Sequence, residues 1–195
     1  MSQEILYARD VHTVSSLEEA LEDRGLVERM QETLREGDVW VVRRAIDPGL
    51  LERLRAYARR VANGSLPNYQ PLVDQAPNFH RVYGDPRSYV EGRFHQWSFF
   101  PWNQDVFDLF DEMRRVYHLN NRINGWPDEK YLGLEPEEGC TARLTIQAYP
   151  RGKGYIKRHT DAVGPHKFTT MSCCMSRKGE DYQRGGLVLQ TSEGR

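Results

Sequence analysis

The segment LTIQAYPRGKGYIKRHTD, Leu144 to Asp161, starts as an alternating strand and ends on an imidazole and a carboxylate two positions apart. Apolar Leu144, Ile146 and Ala148 alternate with Thr145, Gln147 and Tyr149, the period of a half-buried strand. Pro150, Gly152 and Gly154 then mark a turn. In extended backbone, residues i and i+2 point to the same face, so His159 and Asp161 are placed to converge on one metal ion. A carboxylate and two histidines form the facial arrangement that leaves coordination positions open on ferrous iron. The segment supplies two of those three ligands.

An H-x-D tripeptide alone is a weak signal, and its surroundings carry the reading. Upstream is Tyr149 at a strand end. Downstream are a strand-like run, Phe168 to Ser176, and then Gly185-Gly186-Leu187-Val188-Leu189. This order resembles the core of the Fe(II)- and 2-oxoglutarate-dependent dioxygenases, in particular their prolyl-hydroxylase-like and phytanoyl-hydroxylase-like branches. Val39 to Leu54 is similar to the start of many of these enzymes, an apolar strand followed by an Asp-Pro-capped helix. The resemblance therefore covers Val39–Leu54 loosely and Ala142–Gln190 more firmly.

The resemblance implies an α+β fold with N-terminal helices packed on a double-stranded β-helix, the jelly-roll of cupin-like proteins. It implies Fe(II) held by His159 and Asp161, with 2-oxoglutarate as co-substrate, ascorbate as a further cofactor and dioxygen as oxidant. Tyr149 is the implied contact to the co-substrate carboxylate. Arg143 and Gln147 share its strand parity and are expected to project into the same barrel interior. In the family, the distal histidine and the basic anchor for the co-substrate follow the Gly-Gly strand, where only Gln190 to Arg195 remain here. The expectation is thus an N-terminal portion lacking the C-terminal half of the barrel, exposing strand edges and apolar faces. Hydroxylation of a small-molecule substrate, an amino acid or natural-product intermediate, is the implied reaction. Asp161 argues against halogenation, since related halogenases have a small residue there.

Three other readings remain open. His159, Asp161 and His166 could form a local zinc site of hydrolytic or structural type, because Gly164-Pro165 lets the backbone bend. The chain could be a non-oxidative cupin-like metal binder, or a catalytically inactive interaction fragment. At the level of single residues, His159 could be a turn histidine making one backbone hydrogen bond, and Asp161 an Asx-turn residue.

Composition bounds these readings. A chain of 195 residues with a formal charge of −1 suits one domain, 1–195, and has no basic surface to attract nucleic acid or an anionic membrane. No apolar run approaches the ~20 residues that span a bilayer, and the N-terminus does not read as a signal peptide. A cytoplasmic protein is expected. Cys140, Cys173 and Cys174 lack C-x-x-C spacing and read as reduced strand residues.

Before the motif, residues 1–140 read as mainly helical. Ser15 and Ser16 with Glu18 and Glu19 form overlapping capping boxes. Gly25 is expected to split the following helical pattern, and Gly37 to end it. Val39 to Val42 reads as a buried strand. Asp47 and Pro48 open a helix that Asn63-Gly64 closes. Residues 65–102 read as a long loop rich in proline and aromatics, anchored to the core by Phe94 to Trp102 or covering a pocket. Asn103 or Asp105 is expected to cap a further helix, broken at Asn124-Gly125.

Overall fold

The computed structural model describes residues 8–64, 80–81, 92–103, 105, 107–152, 154–159 and 169–189. The elements run β1 (Val11–Val14), α1 (Leu17–Glu22), α2 (Arg24–Arg35), β2 (Val39–Val42), α3 (Pro48–Gly64), β3 (His80–Arg81), β4 (Gly92–Phe99), α4 (Leu109–Ile123), β5 (Leu144–Ala148) and β6 (Tyr155–Ile156). They divide into two compact units. One comprises Met1–Leu51, Asp108–Lys130 and Val163–Arg195, the other Glu52–Phe107 and Tyr131–Ala162.

In the first unit, α1, α2 and α4 pack together around Val14, Leu17, Ala20, Leu26, Val27, Met30, Leu119 and Ile123. Met30 and Leu119 are wholly buried. Each such side chain contributes about 1.5–3 kcal/mol by leaving water. Strands β1 and β2 pair in parallel with Val11 opposite Val39 and Val14 opposite Val42. A parallel pair needs a long crossover, which α1 and α2 provide. The β2 strand is half-buried, with Val41 at 38% exposure, because among the described residues β1 alone pairs with it. The buried strand expected at Val39–Val42 is a strand, but a half-buried one in a two-stranded pair.

The helix boundaries follow local chemistry. Ser16 caps α1 by accepting from the Glu19 N–H at 3.1 Å, while the Glu19 carboxylate reaches back to the Ser15 N–H. The break between α1 and α2 falls at Asp23, not Gly25. Asp23 ends α1 and caps α2 through its carboxylate, which accepts from the Leu26 N–H at 3.0 Å. A residue that closes one helix and caps the next outweighs the weak propensity cost of a glycine in the first turn. Asp47 caps α3 as expected, its Oδ1 accepting from the Leu50 N–H at 2.8 Å. The α4 helix starts at Leu109, later than expected. Asn103 and Asp105 instead accept from the Phe100 and Phe107 N–H groups and stabilise turns ahead of it. It ends at Asn124, where Gly125, at φ 77, lets the N–H groups of Gly125 and Trp126 return to the carbonyls of Arg122 and Asn121.

Arg122 ties this unit together. Its Nε and Nη2 donate to the two oxygens of Asp128 at 2.8 and 2.7 Å, and its Nη1 donates to the Leu21 carbonyl at the end of α1. Gln31 of α2 donates to the Arg122 carbonyl at 2.6 Å.

In the second unit, β4 lies at the centre of a four-stranded antiparallel sheet. It pairs with β3 through His80–His95, with β5 from His95–Ala148 to Phe99–Leu144, and with β6 through Gly92–Ile156. The segment expected to be part of a loop thus includes the central strand of the sheet. Among the described residues, 169–175 and 185–189 form no strand, unlike the expected strand-like runs. Leu187, Val188 and Leu189 stand exposed at 65%, 80% and 45%. The described architecture is mixed helix and sheet, with two small sheets. No described helix is long and apolar enough to cross a membrane.

Replacing Met30 with Ala is expected to lower the unfolding free energy by about 2–5 kcal/mol. Arg24→Ala, at a side chain 94% exposed, should change it by less than about 0.5 kcal/mol. Urea unfolding of the two variants against the parent protein compares them directly. The Arg122 guanidinium holds the Asp128 carboxyl below its usual range. The stabilisation from Asp128 is therefore complete above the unfolded carboxyl value, about 4, and is lost as pH falls through the lower folded value. Asp128→Asn is expected to flatten that portion of the acid-unfolding profile.

Candidate functional site

Of the site candidates, Arg143, Gln147, Tyr149 and His159 belong to the second unit. Strand β5 is held along one side of β4, and its register fixes which side chains share a face. Leu144, Ile146 and Ala148 stand opposite Phe99, Trp97 and His95, giving an apolar face. Ile146 and Trp97 are buried there, and the His95 and Trp97 rings lie 5.8 Å apart, nearly parallel. Loss of hydration lowers the pKa of His95, which favours its neutral ring.

The other face is polar. Thr145 stands opposite Ser98, and Gln147 opposite Gln96. Ser98 and Gln96 are buried, whereas Thr145 and Gln147 on β5 are exposed, so this face is covered over β4 and open over β5. The Gln147 Nε2 donates to Gln96 Oε1 at 3.2 Å, and the Tyr149 hydroxyl donates to Gln147 Oε1 at 2.9 Å. The Ser98 and Thr145 hydroxyls lie 3.4 Å apart. The Phe94 ring sits 5.4 Å from that of Tyr149 and supports it from β4. Partial burial raises the pKa of the Tyr149 phenol and keeps it protonated. Gln147 and Tyr149 therefore share a face, as strand parity requires. Arg143 precedes β5, outside the strand, and is exposed. Among the described residues, this face is open to solvent at Gln147 and Tyr149.

A turn then carries the chain from β5 to β6. The Gly154 N–H returns to the Pro150 carbonyl at 2.7 Å, and Gly152 takes φ 78. A Cβ on Gly154 would lie 2.5 Å from the Pro150 nitrogen and 2.6 Å from the Tyr149 carbonyl carbon, so only glycine fits without backbone movement. Three residues after β6, His159 is exposed, with its Nδ1 2.8 Å from the Lys157 carbonyl oxygen. A carbonyl only accepts, so Nδ1 carries the proton and the neutral ring has its lone pair on Nε2. A plain turn histidine would make this bond. The same bond orients histidines that ligate metals through Nε2.

Asp161 and His166 lie outside the described residues. Among those described, no group of three or more His, Cys, Asp or Glu residues could hold a metal ion. The cysteines are free thiols, Cys140 half-buried and Cys173 and Cys174 exposed.

Gln96 and Ser98 were not among the residues singled out from the sequence. The signal was present, since Gln96, Trp97, Ser98 and Phe99 alternate polar and apolar with the period of a strand. Neighbouring prolines and the density of aromatic residues obscured it.

Gly154→Ala is expected to destabilise the protein by about 1–3 kcal/mol, because the added methyl meets backbone. Gly133→Ala, whose Cβ would come no closer than 3.8 Å to the Glu135 carbonyl oxygen, serves as its control in the same thermal melts. No protein-family model, no curated protein and no solved structure matches this chain.

Proposed function

We propose that the chain carries the metal- and co-substrate-binding strand of an Fe(II)- and 2-oxoglutarate-dependent dioxygenase acting on a small molecule in the cytoplasm. The observation that carries this reading is the hydrogen-bonded run from Gln96 of β4 through Gln147 of β5 to Tyr149 just beyond it, the strand whose following turn leads to His159. Gln147 and Tyr149 are exposed, so the run presents hydrogen-bonding groups to a polar ligand.

The donor chemistry described for His159 fits a ferrous ion. Its Nδ1 is fixed by the Lys157 carbonyl, which leaves Nε2 as the nitrogen that would ligate a metal. His159 and Asp161 would hold the metal, which together with 2-oxoglutarate supplies activation of dioxygen for attack on a C–H bond. Tyr149 is the contact to a co-substrate carboxylate, and its hydroxyl is hydrogen-bonded to Gln147. Arg143, exposed just ahead of β5, adds a positive charge that attracts a dicarboxylate before contact. The free thiols are compatible with a reducing compartment.

His159→Ala and Asp161→Ala are each expected to weaken Fe(II) binding by more than about tenfold and to abolish succinate formation from 2-oxoglutarate in the presence of Fe(II) and ascorbate. Ferrous affinity unchanged in both variants would remove the basis of the assignment. Tyr149→Phe is expected to raise the KM for 2-oxoglutarate with little effect on Fe(II) affinity, measured as initial rates of succinate release.

A further inference from the structure

Gln96, Gln147 and Tyr149 form a chain of hydrogen bonds in which every link has a direction. The tyrosine hydroxyl has one proton and gives it to Gln147 Oε1, and Gln147 Nε2 gives a proton to Gln96 Oε1. In this direction Tyr149 presents only lone pairs to anything that approaches its open side. A carboxylate also presents only lone pairs. The two would repel.

We propose that Gln96 is a positioning residue that sets, through Gln147, whether the Tyr149 hydroxyl donates or accepts, and that a bound carboxylate reverses the chain. This rests on the reading of Tyr149 as the co-substrate contact. A glutamine amide turned by 180° keeps its heavy-atom outline and exchanges donor for acceptor. With both amides turned, Gln96 Nε2 donates to Gln147 Oε1, Gln147 Nε2 donates to the Tyr149 oxygen, and the tyrosine proton points at the ligand. The two internal bonds are kept, and a third, assisted by the ligand's charge, is gained. Gln96 is the controlling end because it is buried, at 4% exposure, whereas Gln147 is exposed and water can replace its partners.

The reversal needs a residue at position 96 that can both accept and donate. Gln96→Glu keeps the shape but, as a carboxylate, only accepts. It holds Gln147 in the observed direction and keeps the Tyr149 proton away from the ligand. With Fe(II) present and oxygen excluded, calorimetric titration of 2-oxoglutarate into the full chain is expected to show affinity about tenfold weaker in Gln96→Glu at about pH 8.5, a loss of the size of one charge-assisted hydrogen bond. Acidification to about pH 6 should restore it, because burial raises the pKa of the introduced carboxyl and its protonated form donates again. The parent protein should show no such recovery.

Equal affinity of parent and variant at alkaline pH would overturn the proposal. So would a loss that persists on acidification, which marks a merely structural role. Should Gln96→Glu fail to fold, Gln147→Glu at the exposed position replaces it. That carboxylate captures the tyrosine proton directly, and the same tenfold loss is expected, whereas unchanged affinity would overturn the proposal. A parent protein that binds no 2-oxoglutarate would remove the functional reading along with the proposal. The parent titration alone identifies that case.

Discussion

A primary amide buried on a central strand has to be hydrogen-bonded, and the polar face of the second unit is arranged around that requirement at Gln96. An unsatisfied amide in this position would cost about 1–3 kcal/mol. Its cross-strand neighbour Gln147 donates to its Oε1 at 3.2 Å, and that contact depends on the register that sets Gln96 opposite Gln147 and Trp97 opposite Ile146. A slip of one residue would bring Ile146 or Ala148 opposite Gln96 and turn the apolar residues of β5 to the wrong face. The register, the separation of polar from apolar faces and the support of the Tyr149 hydroxyl are thus consequences of one pairing. The turn through Gly152 and Gly154 then leads away from a strand already fixed in register.

The first unit solves a different problem. Its helices are short, α1 having only 6 residues, and short helices are marginal without packing. Their amphipathic faces close over Met30 and Leu119. Arg122 uses its fork of donors to join the end of α4 to Asp128 and to the Leu21 carbonyl of α1. Arginine suits this role because its planar guanidinium satisfies a carboxylate and a carbonyl at once. The Trp40 edge of β2 is held in a similar way, its indole N–H donating to Thr33 at 2.9 Å and its ring stacked with His12.

Local signals were legible where one residue acts on its own backbone. Ser16 and Asp47 cap the helices that their positions indicate, Gly125 ends α4, and β5 occupies the alternating run that begins at Leu144. The misplaced features involve competition or distant partners. Asp23 displaced Gly25 as the break between helices because it serves two helix ends. Strand β4 was hidden among prolines and aromatic rings, and its identity as a strand depends on β3, β5 and β6, which come from three separate parts of the chain. The runs 169–175 and 185–189 have strand-like composition without a described ladder, and composition cannot supply one.

The amino-acid sequence by itself determined the helix caps, the strand parity that places Gln147 and Tyr149 on one face, and the His159–Asp161 spacing on which the metal reading rests. These are properties of neighbours in the chain, governed by backbone geometry over a few residues. Only the tertiary structure decided that Gln96 stands opposite Gln147, that the polar face is closed over β4 and open over β5, and that the His159 ring directs its Nδ1 proton at the Lys157 carbonyl. Register and burial arise from contacts between segments far apart in sequence, and no local pattern encodes which distant segment will arrive.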